Sequence, residues 1–127
     1  TIRLPSGRKL YYAQPHFGVN QWGGKQLRYY GMNQITKKWS VIETYGGHMT
    51  ENIVQAIARD CLAVNIERLE NAGFPIVFHI HDEVVIEVPE DRADLDEVTR
   101  IMGQPIEWAP GLPLAADGWV GDYFTKD

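Results

Sequence analysis

Apolar and polar positions alternate at the start of the chain. "IRL" (2–4) and "KLYY" (9–12) flank Pro5-Ser6-Gly7, which predicts a short hairpin. Residues 13–25 carry Pro15, Gly18, Gly23 and Gly24 and read as loop. The next stretch, "KQLRYYGMNQITKKWSVIETY" (25–45), is rich in Tyr, Trp, Val and Ile on either side of a polar turn from Asn33 to Lys38. That pattern predicts a second hairpin, broken at Gly46-Gly47.

From Thr50 the period changes from two to between three and four. Ile53, Ile57, Cys61 and Val64 recur at helical spacing, and Val54, Ala58, Leu62 and Leu69 widen the stripe. Thr50 is the expected N-cap, with Glu51 in the first turn, and Gly73 followed by Pro75 is the expected stop. The helix is then roughly 22 residues and about 33 Å long. "PIVFHI" and "VVIEV" (75–80 and 84–88) form a third hairpin, apolar on both sides and expected to bury well. Residues 90–102 read as an acid-rich helix with Leu95, Val98, Ile101 and Met102 inward. A Pro/Gly-rich segment, 103–113, leads to a last strand around "PLAADGWVG". The expected fold class is α+β, an antiparallel sheet with β-hairpins packed on one long and one shorter helix. Its 127 residues suit a single domain, 1–127.

Composition narrows the function. No apolar run approaches the roughly 18 residues that span a bilayer, and no signal peptide is visible, which predicts a soluble chain with no membrane partner. Cys61 is the only cysteine, which excludes an internal disulfide and fits a reducing compartment. The chain opens on Thr1 inside a strand-and-turn pattern, as expected of a piece of something larger. The net charge of −5 hides an asymmetry. Residues 1–49 hold seven basic residues against Glu43 alone, a net +6, and the rest hold five basic against sixteen acidic, a net −11. Such asymmetry points to a polyanion on one side, and two differently solvated surfaces account for it equally.

The candidate chemistry lies in "FHIHDEVVIEV" (78–88). Asp82 and Glu83 flank the hairpin tip, where side chains project out of the sheet. Adjacent carboxylates resist ionising together unless a cation is present. Hard oxygens of this kind suit Mg²⁺, which takes one or two carboxylates, waters and substrate phosphates, as in phosphoryl transfer. A solvated polar turn also accounts for a bare Asp-Glu pair, although the apolar flanks bring the tip close to a core. His79 and His81, two apart on a strand, share a face and could ligate Zn²⁺ in a hydrolase. A buried, hydrogen-bonded core histidine is the expected role for His79. On the long helix Asn52, Gln55 and Arg59 fall at i, i+3 and i+7 on one face, opposite the apolar stripe, and could meet base edges, sugars or phosphates. An ordinary solvated face explains them as well. Arg8 and Lys9 beside Tyr11 and Tyr12 fit a surface that tracks a nucleic-acid backbone, or simply a hairpin with its charges outward.

Taken in order, "LPSGRKLYY", "ENIVQAIARDCLA", "ENAGFPIVFHIHDEVVIEVPEDRADLDEV" and "PLAADGWVGDYF" resemble the C-terminal part of the palm of family A DNA polymerases, the bacterial DNA polymerase I type, nearest to phage-type members. The resemblance covers nearly the whole chain, with the hairpin of roughly residues 20–45 standing as an insertion relative to the bacterial enzymes. "HDEVV" corresponds to motif C of that family. The resemblance implies that Asp82 is one of two aspartates holding the catalytic Mg²⁺ pair, with Glu83 an auxiliary carboxylate of the same metal site. It implies that His81 lies by the primer 3′ terminus and that Gln55 reads the primer–template minor groove. Arg8 would touch the nucleic-acid backbone. His79 stands where bacterial relatives have Gln, and Glu51 where many carry Asn, with Asn52 one residue out of register. "YGGHMTEN" lacks the arginine of the bacterial enzymes.

Motif A, with the second metal-binding aspartate, and motif B, which holds the triphosphate, lie upstream of anything here. Two-metal catalysis needs both aspartates. The implied role is therefore a palm fragment of a DNA-directed DNA polymerase serving replication, inactive alone. It would work with the rest of the polymerase on primer–template DNA and a deoxynucleoside triphosphate. The implied location is the cytoplasm, the host's for a phage-derived member. The strand beside motif C is missing, so an open sheet edge could recruit a second copy. A non-catalytic nucleic-acid-binding module and the His-x-His zinc hydrolase are the alternatives.

Overall fold

Three short antiparallel sheets and two helices make an α+β fold, described for residues 1–125 in the computed structural model. The chain divides into two compact units, Thr1–Ile57 and the residues from Ala58 onward.

In the first unit β1 (Ile2–Arg3) pairs with β2 (Lys9–Leu10), as the opening alternation predicts. The turn closes through Leu4 N to Arg8 O (2.7 Å) and Gly7 N to Leu4 O (2.9 Å). Gly7 sits at φ +95°, where a side chain would be strained. A three-stranded sheet follows in the order β3 (Ala13–Val19), β4 (Lys25–Met32), β5 (Trp39–Thr44). The β4–β5 hairpin is the expected one. Its turn is tied by Asn33, whose Oδ1 accepts from Ile35 N (2.8 Å) and Thr36 N (3.0 Å). Strand β3 lies where loop was expected. It is an edge strand, so the missing N–H of Pro15 need not face a neighbour. A bulge between Ala13 and His16, with Gln14 at φ +47°, absorbs the irregularity.

The two faces of this sheet differ. Leu27, Tyr29, Ile42 and buried Thr44 share one face. Leu27 and Tyr29 line a small cavity with Ile2, Tyr12 and Met49. Tyr12 meets Tyr29 edge to face at 4.9 Å. The other face carries Arg28, Tyr30, Met32, Trp39, Val41 and Glu43 and is open.

The long helix α1 runs Gly46–Asn71 over 26 residues, beginning five residues earlier than a Thr50 cap predicts. Gly46 and Gly47 follow the end of the β4–β5 hairpin, as expected, and also open the helix. Thr50 is inside the helix, where its hydroxyl donates to Gly46 O at 2.9 Å, so it is no N-cap and Glu51 is not in the first turn. Of the expected apolar stripe, Cys61, Leu62 and Leu69 are buried and Ile53, Ile57 and Val64 are half-buried, and two of its positions depart. Val54 and Ala58 are exposed, while Ala56, Asp60, Cys61, Leu62, Asn65 and Leu69 are buried at positions that wind around the helix. Burial follows what packs against each turn, which periodicity within the helix does not encode.

In the second unit α1 ends as Gly73 predicts. Phe74 N bonds Leu69 O (2.9 Å) and Gly73 N bonds Glu70 O (3.1 Å), a Schellman motif with Gly73 at φ +90°. Glu70 Oε1 then accepts from Ile76 N (2.8 Å), which leads the chain into β6 (Ile76–Ile80) and β7 (Glu83–Ile86). This hairpin is less buried than its composition suggests. Val77 is 52 % and Phe78 40 % exposed, because a two-stranded ribbon covers neither of its faces. Phe78 is met by Phe124 edge to face at 5.2 Å.

The second helix is shorter than predicted. A single 3-10 turn, Glu90–Arg92, precedes α2 (Leu95–Met102), capped by Asp94 Oδ1 on Glu97 N at 3.1 Å. Of its predicted inward residues Ile101 is buried, and Leu95, Val98 and Met102 are half-buried. Arg68 on α1 clamps the segment after α2 through Gln104 O (3.2 Å) and Pro105 O (2.9 Å), and Asn65 Nδ2 reaches Met102 O (3.4 Å). Residues 113–121 form no strand. Their carbonyls and N–H groups are in irregular chain with Gly118 and Gly121.

Candidate functional site

The pairing of Ile80 with Glu83 leaves His81 and Asp82 as a two-residue loop between β6 and β7. His81 carries φ +52°. The primed turns that match hairpin twist require a positive φ at that first loop position. A non-glycine residue there is strained, though His tolerates it better than most. The consequence is a sharp tip with His81, Asp82 and Glu83 all exposed.

Neither carboxylate has a hydrogen-bond or ion-pair partner among the described residues. Two adjacent unpartnered carboxylates, with their oxygens in water, are a suitable partial ligand set for a hard divalent cation that keeps several waters. They are only part of one. No group of three or more His, Cys, Asp or Glu side chains able to hold a metal is found among the described residues. The same fact leaves the zinc arrangement around His79 and His81 without a third ligand. His79 is moreover exposed on β6 opposite Val84, not the buried core histidine expected. The exposed ribbon leaves no core there for it to enter.

Asn52, Gln55 and Arg59 all fall within α1. Gln55 and Arg59 are exposed; Asn52 is half-buried. The amide of Asn52 donates to the Tyr12 hydroxyl at 3.2 Å, which ties the helix to the segment after β2. Gln55 Nε2 reaches Glu51 Oε1 only at 3.5 Å, so its amide is close to uncommitted. Arg8 lies against the same helix, with Nη2 donating to Ala56 O at 3.1 Å, while Lys9 on β2 is exposed. Within the first unit the structure therefore brings Arg8, Asn52 and Gln55 to one stretch of helix. Tyr12 is the residue that sequence reasoning missed. It orients Asn52 from 40 positions away and packs on Tyr29, whose phenol burial pushes up, with Tyr12 itself adding to the shift. No local period signals a contact at that separation.

Over 126 residues the chain is 52 % identical to a DNA polymerase of Bacillus phage SP02. The matched segment is 99 % of this chain and 19 % of that polymerase, so the chain spans about a fifth of its relative's length. No protein-family model matches the chain. No solved structure matches it.

Proposed function

We propose that this chain is the motif C portion of the palm of a family A DNA-directed DNA polymerase. The observation that carries the reading is the 52 % identity, along nearly all of this chain, to a segment of a phage DNA polymerase. The unpartnered carboxylates at an exposed hairpin tip support it chemically.

In this reading Asp82 and Glu83 hold magnesium together with an aspartate from another part of the polymerase. When bound, the metal neutralises charge on the attacking and leaving oxygens of nucleotidyl transfer. The strained loop at His81 keeps Asp82 outside the ribbon, and the imidazole of His81 faces the primer end. Gln55, with Arg59 and Asn52 beside it, donates to minor-groove acceptors or sugar oxygens of the primer–template duplex. Arg8 and Lys9 contact its phosphates. The open edges of the β6–β7 ribbon receive a strand from the remainder of the polymerase, which brings the missing aspartate. Primer–template DNA and a deoxynucleoside triphosphate are then the substrates.

A chimera tests this directly. This chain replaces the matching segment of the phage polymerase, and primer extension is measured with Mg²⁺. Asp82→Ala is expected to lower the rate by about 100-fold or more, since a metal's charge stabilisation is worth several kcal/mol. Extension undiminished by Asp82→Ala would overturn the assignment.

A further inference from the structure

The open face of the β3–β4–β5 sheet belongs to the first unit and carries none of the carboxylate-site residues, and its composition is unusual for a solvated surface. Directly paired residues of an antiparallel sheet project on the same side, and alternate residues of one strand do so too. The pairings therefore set three rungs on this face: His16, Arg28 and Glu43; Ala13, Tyr30 and Val41; Met32 and Trp39. Successive rungs are about 7 Å apart along the strands.

Trp39 is 63 % exposed and Met32 and Val41 are exposed beside it. The ring of Tyr30 is stacked obliquely with His16 at 5.9 Å between centroids. The one acidic group on the face, Glu43, is answered by Arg28 at 3.4 Å. Arg28 is itself held in place by a bond to Val19 O at 2.9 Å. Lys37 and Lys38 adjoin Trp39 in the turn at the end of the face, and both are exposed. That turn is held rigid by Asn33, which also bonds Lys37 N and Lys38 O through its backbone. Residues 1–57 carry seven basic groups against Glu43 and Glu51, in a chain whose net charge is −5.

One exposed indole, with the half-buried ring of Tyr30 on the next rung, on a sheet edged by lysines in a net-positive unit, suits a polyanion that also offers π-faces. A protein partner would ask for apolar area without the lysines, and a duplex hides its base faces. Single-stranded nucleic acid presents both phosphate and unstacked bases.

We propose that this sheet face is a platform for single-stranded nucleic acid, with bases stacked on Trp39 and Tyr30 and phosphates held by Lys37 and Lys38. The inference goes beyond the polymerase reading and uses none of the carboxylate-site residues. The test is fluorescence anisotropy of a labelled short oligothymidylate with the full chain, at low salt and without divalent cation. The wild-type chain is expected to bind. Trp39→Ala should weaken binding at least about fivefold, and Trp39→Phe should retain most of it. Lys37→Gln with Lys38→Gln should reduce the slope of log affinity against log salt by about 1.4. Because Trp39 is largely exposed, unchanged far-ultraviolet circular dichroism should accompany these variants.

Three results would overturn the proposal: no binding by the wild-type chain, affinity unchanged by Trp39→Ala, or a blunt duplex bound as tightly with the same sensitivity to Trp39→Ala. Failure here leaves the Asp82 result in the chimera untouched. Success here with an Asp82-insensitive chimera would instead remove the polymerase assignment alone.

Discussion

His81 shows how one residue can be shaped by its surroundings against its own preference. At φ +52° it bears left-handed strain of about 1 kcal/mol. Glycine would relieve that strain but would add unfolded-chain entropy worth about 0.5–1 kcal/mol. The two nearly cancel, so His81→Gly should leave the unfolding free energy within about 1 kcal/mol of wild type in urea titration. In the chimera it should nevertheless slow primer extension, since only the imidazole is lost. A variant that extends primers normally would mean that the side chain serves only the turn.

Cys61 is the other residue whose setting governs its chemistry. Burial, followed by the negative charge of Asp60, pushes its thiol above the ordinary value of 9.0. The folded thiol keeps its proton where the unfolded one has lost it. Its contribution to stability is therefore full below pH 9.0 and is lost as pH rises through the raised value. Cys61→Ala should flatten the fall in stability above that pH, measured by urea unfolding across an alkaline series. An unchanged slope would show that other groups govern it.

Among elements, α1 has one end legible and one end not. Its C-terminus depends on Gly73, Phe74 and Pro75, three neighbouring residues that carry the αL cap and the stop. Gly73→Ala would meet only Arg92 Nη2 at 3.5 Å, an ordinary contact, so space is not the obstacle. The backbone at φ +90° is, and the substitution should cost about 1–2 kcal/mol of unfolding free energy in urea titration. No loss would mean that the helix end can re-form without the left-handed residue. The N-terminus is not legible because Thr50 has a cap's chemistry but lies one turn inside, bonded back to Gly46. Likewise β3 carries Pro15 and Gly18, residues that read as loop. An edge position and a bulge make them compatible with a strand, and neither is visible until β4 is beside it. The β4–β5 and β6–β7 hairpins were legible because each carries its alternation and its turn in one short stretch.

At the scale of the whole chain, many large apolar groups are exposed. Val77 and Phe78 on β6, and Trp119, Val120 and Tyr123 near the end, stand in solvent although their residue types favour burial. The β6–β7 ribbon adds unpaired edges to that surface. Concentration-dependent self-association of the isolated chain is the expected result, and Val77→Lys should suppress it by charging the strand. Sedimentation velocity over a concentration series measures this. Association undiminished in Val77→Lys would move the contact elsewhere. The charge division bears on the same scale: the basic excess falls in the unit that contains the open sheet face, and the acidic excess in the unit that contains Asp82 and Glu83.

Read without coordinates, the chain already discloses its α+β class, three hairpins, the end of its long helix, the adjacent carboxylates and the split of charge. Each of these is written in period, turn chemistry or composition over a few consecutive residues. Folding alone decided that β3 is a strand, that His79 stands in solvent, that burial winds around α1, and that Tyr12 holds Asn52. Those outcomes depend on which distant segments come to lie side by side, and burial and cross-chain hydrogen bonds are properties of that neighbourhood rather than of any residue's own sequence context.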